Sequence, residues 1–280
     1  MKADLHIHTT SSDGMLSPVE ILKKAETLGI NVISISDHDT ISAYNEIEKV
    51  KSNFNIRIVN GVEISANLKD KEIHLLAYCF DLNNRELNQF FEQIKIDRKL
   101  RAIEIVRKLR NFKLDISISD VEAVSKNSPI CRPHIATALV QKGLVKNFYD
   151  AFHKYIKDDG PANQKKIKVS VESVIEMIHN AGGLVFIAHP YILDSETLSG
   201  IISAGVDGIE VIHPLHKKHH VTKFTNIARR YGILQSGGSD FHGRNETEIQ
   251  KFGKYYIGET KLTEILARVE KTESFRVRAG

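Results

Sequence analysis

Two clusters of imidazole and carboxylate side chains stand near opposite ends of the chain, Asp4-Leu5-His6-Ile7-His8 and Gly238-Ser239-Asp240-Phe241-His242. Between them fall Ser36-Asp37-His38-Asp39-Thr40, Gly61-Val62-Glu63-Ile64-Ser65, His74, Arg132-Pro133-His134 and Ala188-His189-Pro190. In a strand, side chains two residues apart point to the same side, so His6 and His8 can face one cavity. Imidazole nitrogens suit zinc, iron, manganese or nickel, and carboxylates harden such a site and offset its charge. An isolated His-x-His pair says little, since most histidines are simply satisfied where they stand. Here, however, four short apolar runs lead into the same residue types. Val32–Ser36 runs into Asp37 and His38, Ile56–Val59 into Gly61 and Glu63, Leu184–Ala188 into His189, and Ile233–Ser236 into Asp240 and His242. Metal ligands so dispersed along a chain imply one site closed by its fold.

The elements that must position these residues alternate between short apolar runs and amphipathic stretches, as βα units around a parallel sheet do. Strands are expected near residues 3–8, 32–36, 56–64, 73–79, 184–188, 208–212 and 233–236. Ser17-Pro18-Val19-Glu20 opens a helix, with serine as cap, proline in the first turn and glutamate three residues after the cap, and Leu28-Gly29 closes it. A second helix begins around Val169-Ser170-Val171 and ends at Ala181-Gly182-Gly183. The rhythm breaks after Phe80. From Asn84 to Lys168 the sequence is mainly helical and charged, with Leu87, Phe90, Phe91, Ile94, Leu100, Ile103, Val106 and Leu109 at helical spacing. This stretch reads as an inserted helical subdomain, residues 84–168, covering the mouth of a body made of residues 1–83 and 169–280. Within it, Arg132-Pro133-His134 opens a helix, where free backbone N–H groups also favour phosphate.

At 280 residues and 41% hydrophobic content the chain can bury a full core. No apolar run is long enough for a membrane span, and the opening residues enter a strand with no signal-peptide core, so a cytoplasmic location and no membrane association are expected. Cys79 and Cys131 make neither a disulfide framework nor a thiolate zinc site. A formal charge of +4 is mildly basic. Lys95, Arg98, Lys99, Arg101, Arg107, Lys108, Arg110 and Lys113 crowd one helical stretch, and Lys154, Lys157, Lys165, Lys166 and Lys168 another. A solvated helix face explains them most simply, and a basic rim that guides phosphates is the functional alternative. Tyr78, Phe80, Phe90 and Phe91 leave base stacking open.

The opening Asp4-Leu5-His6-Ile7-His8-Thr9-Thr10-Ser11-Ser12-Asp13-Gly14, with Ser36-Asp37-His38-Asp39-Thr40, Gly61-Val62-Glu63-Ile64-Ser65, Ala188-His189-Pro190 and Gly238-Ser239-Asp240-Phe241-His242, resembles the PHP (polymerase and histidinol phosphatase) family. Within it, the opening motif and the helical insertion resemble the branch containing RNase AM and the 3′,5′-nucleoside bisphosphate phosphatases. The resemblance implies an α/β fold, a distorted (β/α)7 barrel with its site at the carboxyl ends of the strands. It further implies a trinuclear centre. One ion would take His6, His8, Glu63 and Asp240; a second Asp13, His38, His189 and His242; a third would share Glu63 and take His74 and His134. His153, His179, His213, His216, His219 and His220 are left over, with surface positions as the default. His213 ends the apolar run Gly208–Ile212 and is a candidate for the mouth of the site.

The implied reaction is phosphate-ester hydrolysis with two or three divalent ions, manganese, iron or zinc, manganese being favoured. An anion attacking an anion needs nearby cations to activate water and to neutralise the charge that builds on oxygen. Arg132 is the candidate phosphate clamp. The general acid could be His213, a metal-bound water or no protein group. Expected substrates are a nucleoside 3′,5′-bisphosphate or a short 5′-phosphorylated single-stranded oligonucleotide degraded from 5′ to 3′, with no obligate protein partner. A histidinol-phosphate phosphatase ranks second. A PHP module that has lost catalysis would lack ligands, whereas every ligand position here is filled. An amidohydrolase-like barrel would need a bridging lysine where this chain has Glu63.

Overall fold

The computed structural model describes residues 1–126 and 128–279, with side chains described through residue 270. The first half of the body contains β1 (Ala3–Ile7), α1 (Pro18–Thr27), β2 (Val32–Ile35), α2 (Ala43–Val50), β3 (Arg57–Ile58), β4 (Gly61–Leu68) and β5 (Lys71–Tyr78). Helix α1 is opened by the reciprocal bonds of Ser17 and Glu20, which satisfy two otherwise free amides, and Gly29 follows its last turn at a φ of +66°. Strands β1, β2 and β3 form a three-stranded parallel sheet.

The single strand expected over 56–64 is two. Arg57 and Ile58 pair with β2, whereas Gly61–Leu68 pairs antiparallel with β5 in a second sheet. The chain changes sheets at Asn60-Gly61. A β-carbon on Gly61 would lie 1.9 Å from the Ser34 Oγ, so no other residue lets β4 pass this close to β2. The second sheet runs β4-β5-β6-β7-β8, with β6 (Leu184–Ile187), β7 (Gly208–Ile212) and β8 (Leu234–Gly237). β5 pairs antiparallel with β4 and β6, and only β6, β7 and β8 continue in parallel. The sheets are therefore mixed rather than uniformly βα. Among the described residues, backbone bridges link them where His38 meets Glu63 and Ile7 meets Phe241.

Residues on one face of the second sheet, among them Val62, Ile64, Leu75, Val185, Ile209 and Val211, belong to one buried apolar cluster. Leu76, Tyr78, Phe186 and Leu234 belong to another that includes Leu5 of β1. Apolar burial on both faces explains why these strands read as continuous runs.

The insertion holds α3 (Arg85–Arg110), α4 (Ile118–Ser125), α5 (Arg132–Gln141) and α6 (Phe148–Ala151), the last followed by a π-helical turn over Phe152–Ile156. Residues 157–169 have no regular secondary structure, so the helical stretch expected to Lys168 ends earlier. The apolar face expected for α3 is also corrected. Leu87, Phe91, Val106 and Leu109 are buried, but Leu100 is 57% and Ile103 38% exposed, while Arg98, Ala102 and Ile105 are buried in their place. The helix spans two environments. Leu87 and Phe91 join the core of the body, whereas Ala102 to Leu109 join a separate core within the insertion, so the buried stripe shifts phase near Arg98.

The chain then returns through α7 (Val171–Asn180), β6, α8 (Ser195–Ser203), β7, α9 (Lys218–Tyr231), β8, α10 (Glu246–Lys251) and α11 (Glu259–Ala279). Among the described residues, no helix is long and apolar enough to cross a membrane.

Candidate metal centre

The strand ends bring the dispersed histidines and carboxylates together. β1 delivers His6 and, just past its end, His8, both fully buried, with Nε2 atoms 3.1 Å apart. β4 delivers Glu63, and the turn after β8 delivers Asp240 at a φ of +47°. Glu63 Oε2 lies 3.3 Å from His6 Nε2 and 3.2 Å from His8 Nε2, and Asp240 Oδ1 lies 3.4 and 3.2 Å from the same two nitrogens. Ligand atoms about 2.0–2.1 Å from one ion in tetrahedral geometry lie about 3.3–3.4 Å from one another. The separations among His6, His8 and Asp240 therefore fit donors to a single cation, with Glu63 Oε2 at a similar distance from both imidazoles.

A second, looser group contains His8, Asp13, His38 and His242, whose ligand-type atoms all lie within 4.8 Å of one another. Asp13 Oδ1 is 3.4 Å from His242 Nε2 and 3.9 Å from His38 Nε2. A third centres on the other oxygen of Glu63: Oε1 is 2.9 Å from His74 Nδ1 and 2.8 Å from His189 Nε2. The two carboxylate oxygens of Glu63 thus face different sets of imidazoles, with His38 Nδ1 3.1 Å from Oε2. Asp13 Oδ1 and His38 Nδ1 are buried without a hydrogen-bond partner. Buried lone pairs left this way are costly. A divalent cation supplies what they lack, and the nitrogen and oxygen donor set suits one.

Three residues depart from the expected arrangement. His134 belongs to none of these groups; its Nδ1 accepts the Cys131 N–H at 3.1 Å, closing the first turn of α5. Helix capping explains the Arg132-Pro133-His134 opening without a ligand role for the histidine. His189 stands with Glu63 and His74 rather than with Asp13 and His242. His213 is neither on the surface nor free at the mouth: it is 3% exposed, its Nδ1 accepts the Leu215 N–H, and its Nε2 lies 3.2 Å from Asp240 Oδ2. With Nδ1 accepting, the proton of the neutral ring sits on Nε2 and is donated to Asp240.

Several residues support the cluster from behind, Glu210 with no metal-type spacing to announce it and Asp4 and Asp37 from within the motifs themselves. Glu210, fully buried on β7, accepts from His6 Nδ1 at 2.9 Å and from the His189 amide at 2.7 Å, leaving His6 Nε2 to face the centre. Asp37 accepts from the Thr9 amide and hydroxyl and from the Ser12 hydroxyl, which shapes the loop to Asp13. Asp4 accepts from the Ser239 amide at 2.9 Å, and burial lifts its carboxyl to about 7 against that bond. Gly238 passes so close to β1 that a β-carbon would meet the His6 amide nitrogen at 2.4 Å. Burial would raise Glu63, but the charges on His38, His74 and His6 hold it well below the ordinary glutamate range. Burial disfavours charge on His8, yet its contacts with Asp240 and Glu63 lift it to about 9.

The cluster opens into a cleft of about 280 Å³, whose walls include Arg98, Arg101, Cys131, Arg132, Pro133, Phe152 and Lys166 from the insertion and Arg244 from the body. The two basic stretches divide accordingly. Lys99, Arg107 and Lys168 pair on the surface with Glu122, Glu104 and Asp70, whereas Arg98, Arg101 and Lys166 turn toward the cleft. Arg132 lines the cleft with its Nη1 bound to Asp158 and to the Ile156 carbonyl. Tyr78, Phe80 and Phe91 are 0%, 1% and 6% exposed, and none of them can stack on a base; Phe152 is the aromatic residue in the cleft wall.

Residues 4–185 match the PHP domain, and the chain belongs to that family and is a metal-dependent phosphoesterase. It is 34% identical over 247 residues to the 5′-3′ exoribonuclease of Haemophilus influenzae, covering 86% of this chain and 90% of that protein. It is also 30% identical over 250 residues to the 3′,5′-nucleoside bisphosphate phosphatase of Chromobacterium violaceum, covering 87% and 88%. A structure from Bifidobacterium adolescentis, described as a metal-dependent phosphoesterase, superposes with a TM-score of 0.86 at 31% identity over 95% of this chain and 96% of that one. A Chromobacterium violaceum structure described as an amidohydrolase with bound sulfate and no metal gives a TM-score of 0.80 at 28% identity over 88% and 89%.

Proposed function

We propose that this protein hydrolyses phosphate esters of nucleotides, with a nucleoside 3′,5′-bisphosphate and the 5′ end of a short 5′-phosphorylated oligonucleotide as its substrates. The observation that carries this reading is the close grouping of His6, His8 and Asp240, with Glu63 against both imidazoles, beside a cleft walled by arginine and lysine. Two or three divalent ions would be held by His6, His8, Glu63 and Asp240, by Asp13, His38 and His242, and by Glu63, His74 and His189. Manganese is favoured over iron and zinc, since carboxylates share the donor set with imidazoles and no thiolate joins them. Bound there, such ions supply Lewis acidity and charge neutralisation to displacement at phosphorus.

The chain's own residues supply the rest. Arg132 and Lys166 present N–H donors to phosphate oxygens from the insertion side of the cleft. Phe152 offers the apolar wall that a nucleoside needs. Glu210 and His213 hold His6 and Asp240 in position, which makes His213 a positioning residue rather than a general acid. The walls contributed by Arg98 to Lys166 support the view that the insertion covers the mouth. The His38–Glu63 and Ile7–Phe241 bridges, which link the sheets, support a closed and distorted (β/α)7 barrel. A chain with Cys79 and Cys131 as its two cysteines suits a reducing, cytoplasmic setting. The exoribonuclease and bisphosphate phosphatase relatives support the substrate class.

The test is to purify the protein with manganese, offer a nucleoside 3′,5′-bisphosphate and a 5′-phosphorylated oligonucleotide, and follow release of phosphate and mononucleotide. Turnover of one or both is expected. No turnover of either, with metal content verified, rejects the proposal.

A further inference from the structure

The insertion carries a surface that neither the ligand cluster nor its cations use. Five phenylalanine and tyrosine rings are exposed among the described residues, and three of them, Phe112, Phe148 and Tyr149, lie in the insertion. Tyr149 is the most open of the five, at 66%. These rings are not scattered. Phe148 packs on Phe152 with ring centroids 5.0 Å apart, Tyr149 stacks on the exposed His153 at 3.9 Å, and Phe112 meets Tyr155 at 5.8 Å. Single exposed rings are ordinary, whereas a contiguous run of them marks a surface that a partner covers.

The local backbone builds this run. Residues four apart share a helix face, which pairs Phe148 with Phe152 and Tyr149 with His153. At Phe152 the helix widens into the π-helical turn, where the Lys157 amide donates to the Phe152 carbonyl at 2.9 Å. Arg132 holds the end of that turn, its Nη1 donating to the Ile156 carbonyl at 3.3 Å. Phe152 and Tyr155 pack partly against the core of the insertion, and Phe148 and Tyr149 do not. Phe152 also lines the cleft, so the run begins at the wall of the site and leads out to open surface. Charge does not account for it. Lys154 is matched by Asp150 and Lys157 by Asp159. What stays exposed is ring face, on which successive unpaired bases stack whatever their sequence.

We propose that Phe148 and Tyr149, with His153 behind Tyr149, form a stacking platform for the bases of a single-stranded oligonucleotide whose 5′ end occupies the cleft. This rests on the nucleotide reading above and deepens it. The first nucleoside lies against Phe152, and the bases that follow leave across Phe148 and Tyr149. A mononucleotide ends before the platform, and a duplex keeps the faces of its bases covered, so the occupant is a chain with unpaired bases.

The experiment compares wild type with Tyr149→Ala, Phe148→Ala and Tyr149→Phe, all loaded with manganese. Fluorescence anisotropy measures the affinity of a 5′-phosphorylated tetranucleotide and of the same chain with base-free sugars after the first nucleotide, both linked by phosphorothioates to slow hydrolysis. The two chains carry equal charge, so their affinity ratio reports stacking alone. In the wild type that ratio should be about tenfold or more. Both alanine variants should lower it, Tyr149→Ala by about tenfold, and Tyr149→Phe should keep it, since the ring face and not the hydroxyl carries the stack. In turnover, Tyr149→Ala should lower kcat/KM on the ordinary tetranucleotide more than on adenosine 3′,5′-bisphosphate, mainly through KM. Equal wild-type affinity for the two chains, a ratio unchanged in both alanine variants, or equal falls in kcat/KM on both substrates overturns the platform. So does a wild-type dimer that Tyr149→Ala converts to monomer in sedimentation with the base preference intact, which would make the rings a contact between copies. If the wild type hydrolyses neither substrate, the reaction assigned above fails while the affinity ratio still decides the platform. Matching thermal midpoints of the four proteins verify that they are folded alike.

Discussion

Glu210→Gln is the substitution that most sharply tests whether the centre is held from behind. The native carboxylate accepts two hydrogen bonds, from His6 Nδ1 at 2.9 Å and from the His189 amide at 2.7 Å, and is fully buried. Glutamine keeps the shape but offers only one oxygen, so its NH2 group must oppose one of those donors. If it faces the His189 amide, a buried backbone N–H loses its partner and the loop carrying His189 is released. If it faces His6, the ring must move its proton to Nε2, the atom that lies 3.1–3.4 Å from its three neighbours in the ligand cluster. The first outcome leaves a buried donor unsatisfied, a loss of about 1–3 kcal/mol, and the second places a proton on the nitrogen that faces the centre. Supporting residues of metal sites typically contribute roughly 10–100-fold to metal affinity or activity. The assay is manganese affinity by competition with a chelator, followed by activity as a function of added metal. Glu210→Gln should bind about 10–100-fold more weakly and recover activity in part at high manganese. Wild-type metal affinity and wild-type activity together would refute the claim that Glu210 orients His6.

Three further outcomes follow from the same geometry. Asp240→Asn should lower turnover by more than the roughly 100-fold typical of supporting residues, with its unfolding midpoint little changed, because a charged ligand is lost rather than packing; wild-type turnover would contradict the ligand set. Arg98→Ala leaves Asp39 buried and unpaired and should destabilise the protein by about 3–5 kcal/mol in denaturant titration, a loss that ordinary surface arginines such as Arg107 would not reproduce. Exhaustive chelation should abolish hydrolysis and lower the thermal midpoint, and manganese should restore both, since ions that bind only the folded chain stabilise it by mass action; full activity after verified metal removal would exclude the metal-dependent reaction.

Much of the centre was legible because strand alternation and strand ends are local features. The spacing of His6 and His8 and the strand ends before Glu63, Asp240 and His242 pointed to one site, since a strand end fixes where its last side chains point, whereas the division into ligand sets came from the family resemblance. His134 misled because a helix opening and a ligand motif use the same residues. Its ring nitrogen satisfies its own helix's first turn, a demand that sequence does not distinguish from coordination. Glu210 and Arg101 were hidden for opposite reasons. The first lies inside an apolar run and looks like a strand interruption; the second lies among many helical cations, and which of those turn toward the cleft depends on what folds beside them. The phase shift along α3 was likewise invisible, because one periodicity cannot report two different neighbours.

The position of Glu63 joins these threads, because the bonds that close the fold flank the residue that links the ligand groups. Its carbonyl accepts the Asp39 amide at 2.9 Å and its own amide donates to the Asp37 carbonyl at 3.2 Å, which bridges the strand pair β1-β2 to the second sheet. Its side chain, 1% exposed, divides its two oxygens between His6, His8 and His38 on one side and His74 and His189 on the other. Asp39, next to the bridge, holds a φ of +52° and is pinned by Arg98 and by the Ser65 amide. A left-handed aspartate costs roughly 1–2 kcal/mol, a strain that neighbouring contacts must outweigh. Those contacts come from the insertion through Arg98 and from β4 through Ser65. The insertion, the two sheets and the ligand groups therefore meet at one short segment, Asp37 to Asp39. That convergence explains how residues separated by most of the chain can be held within a few ångströms of a common centre.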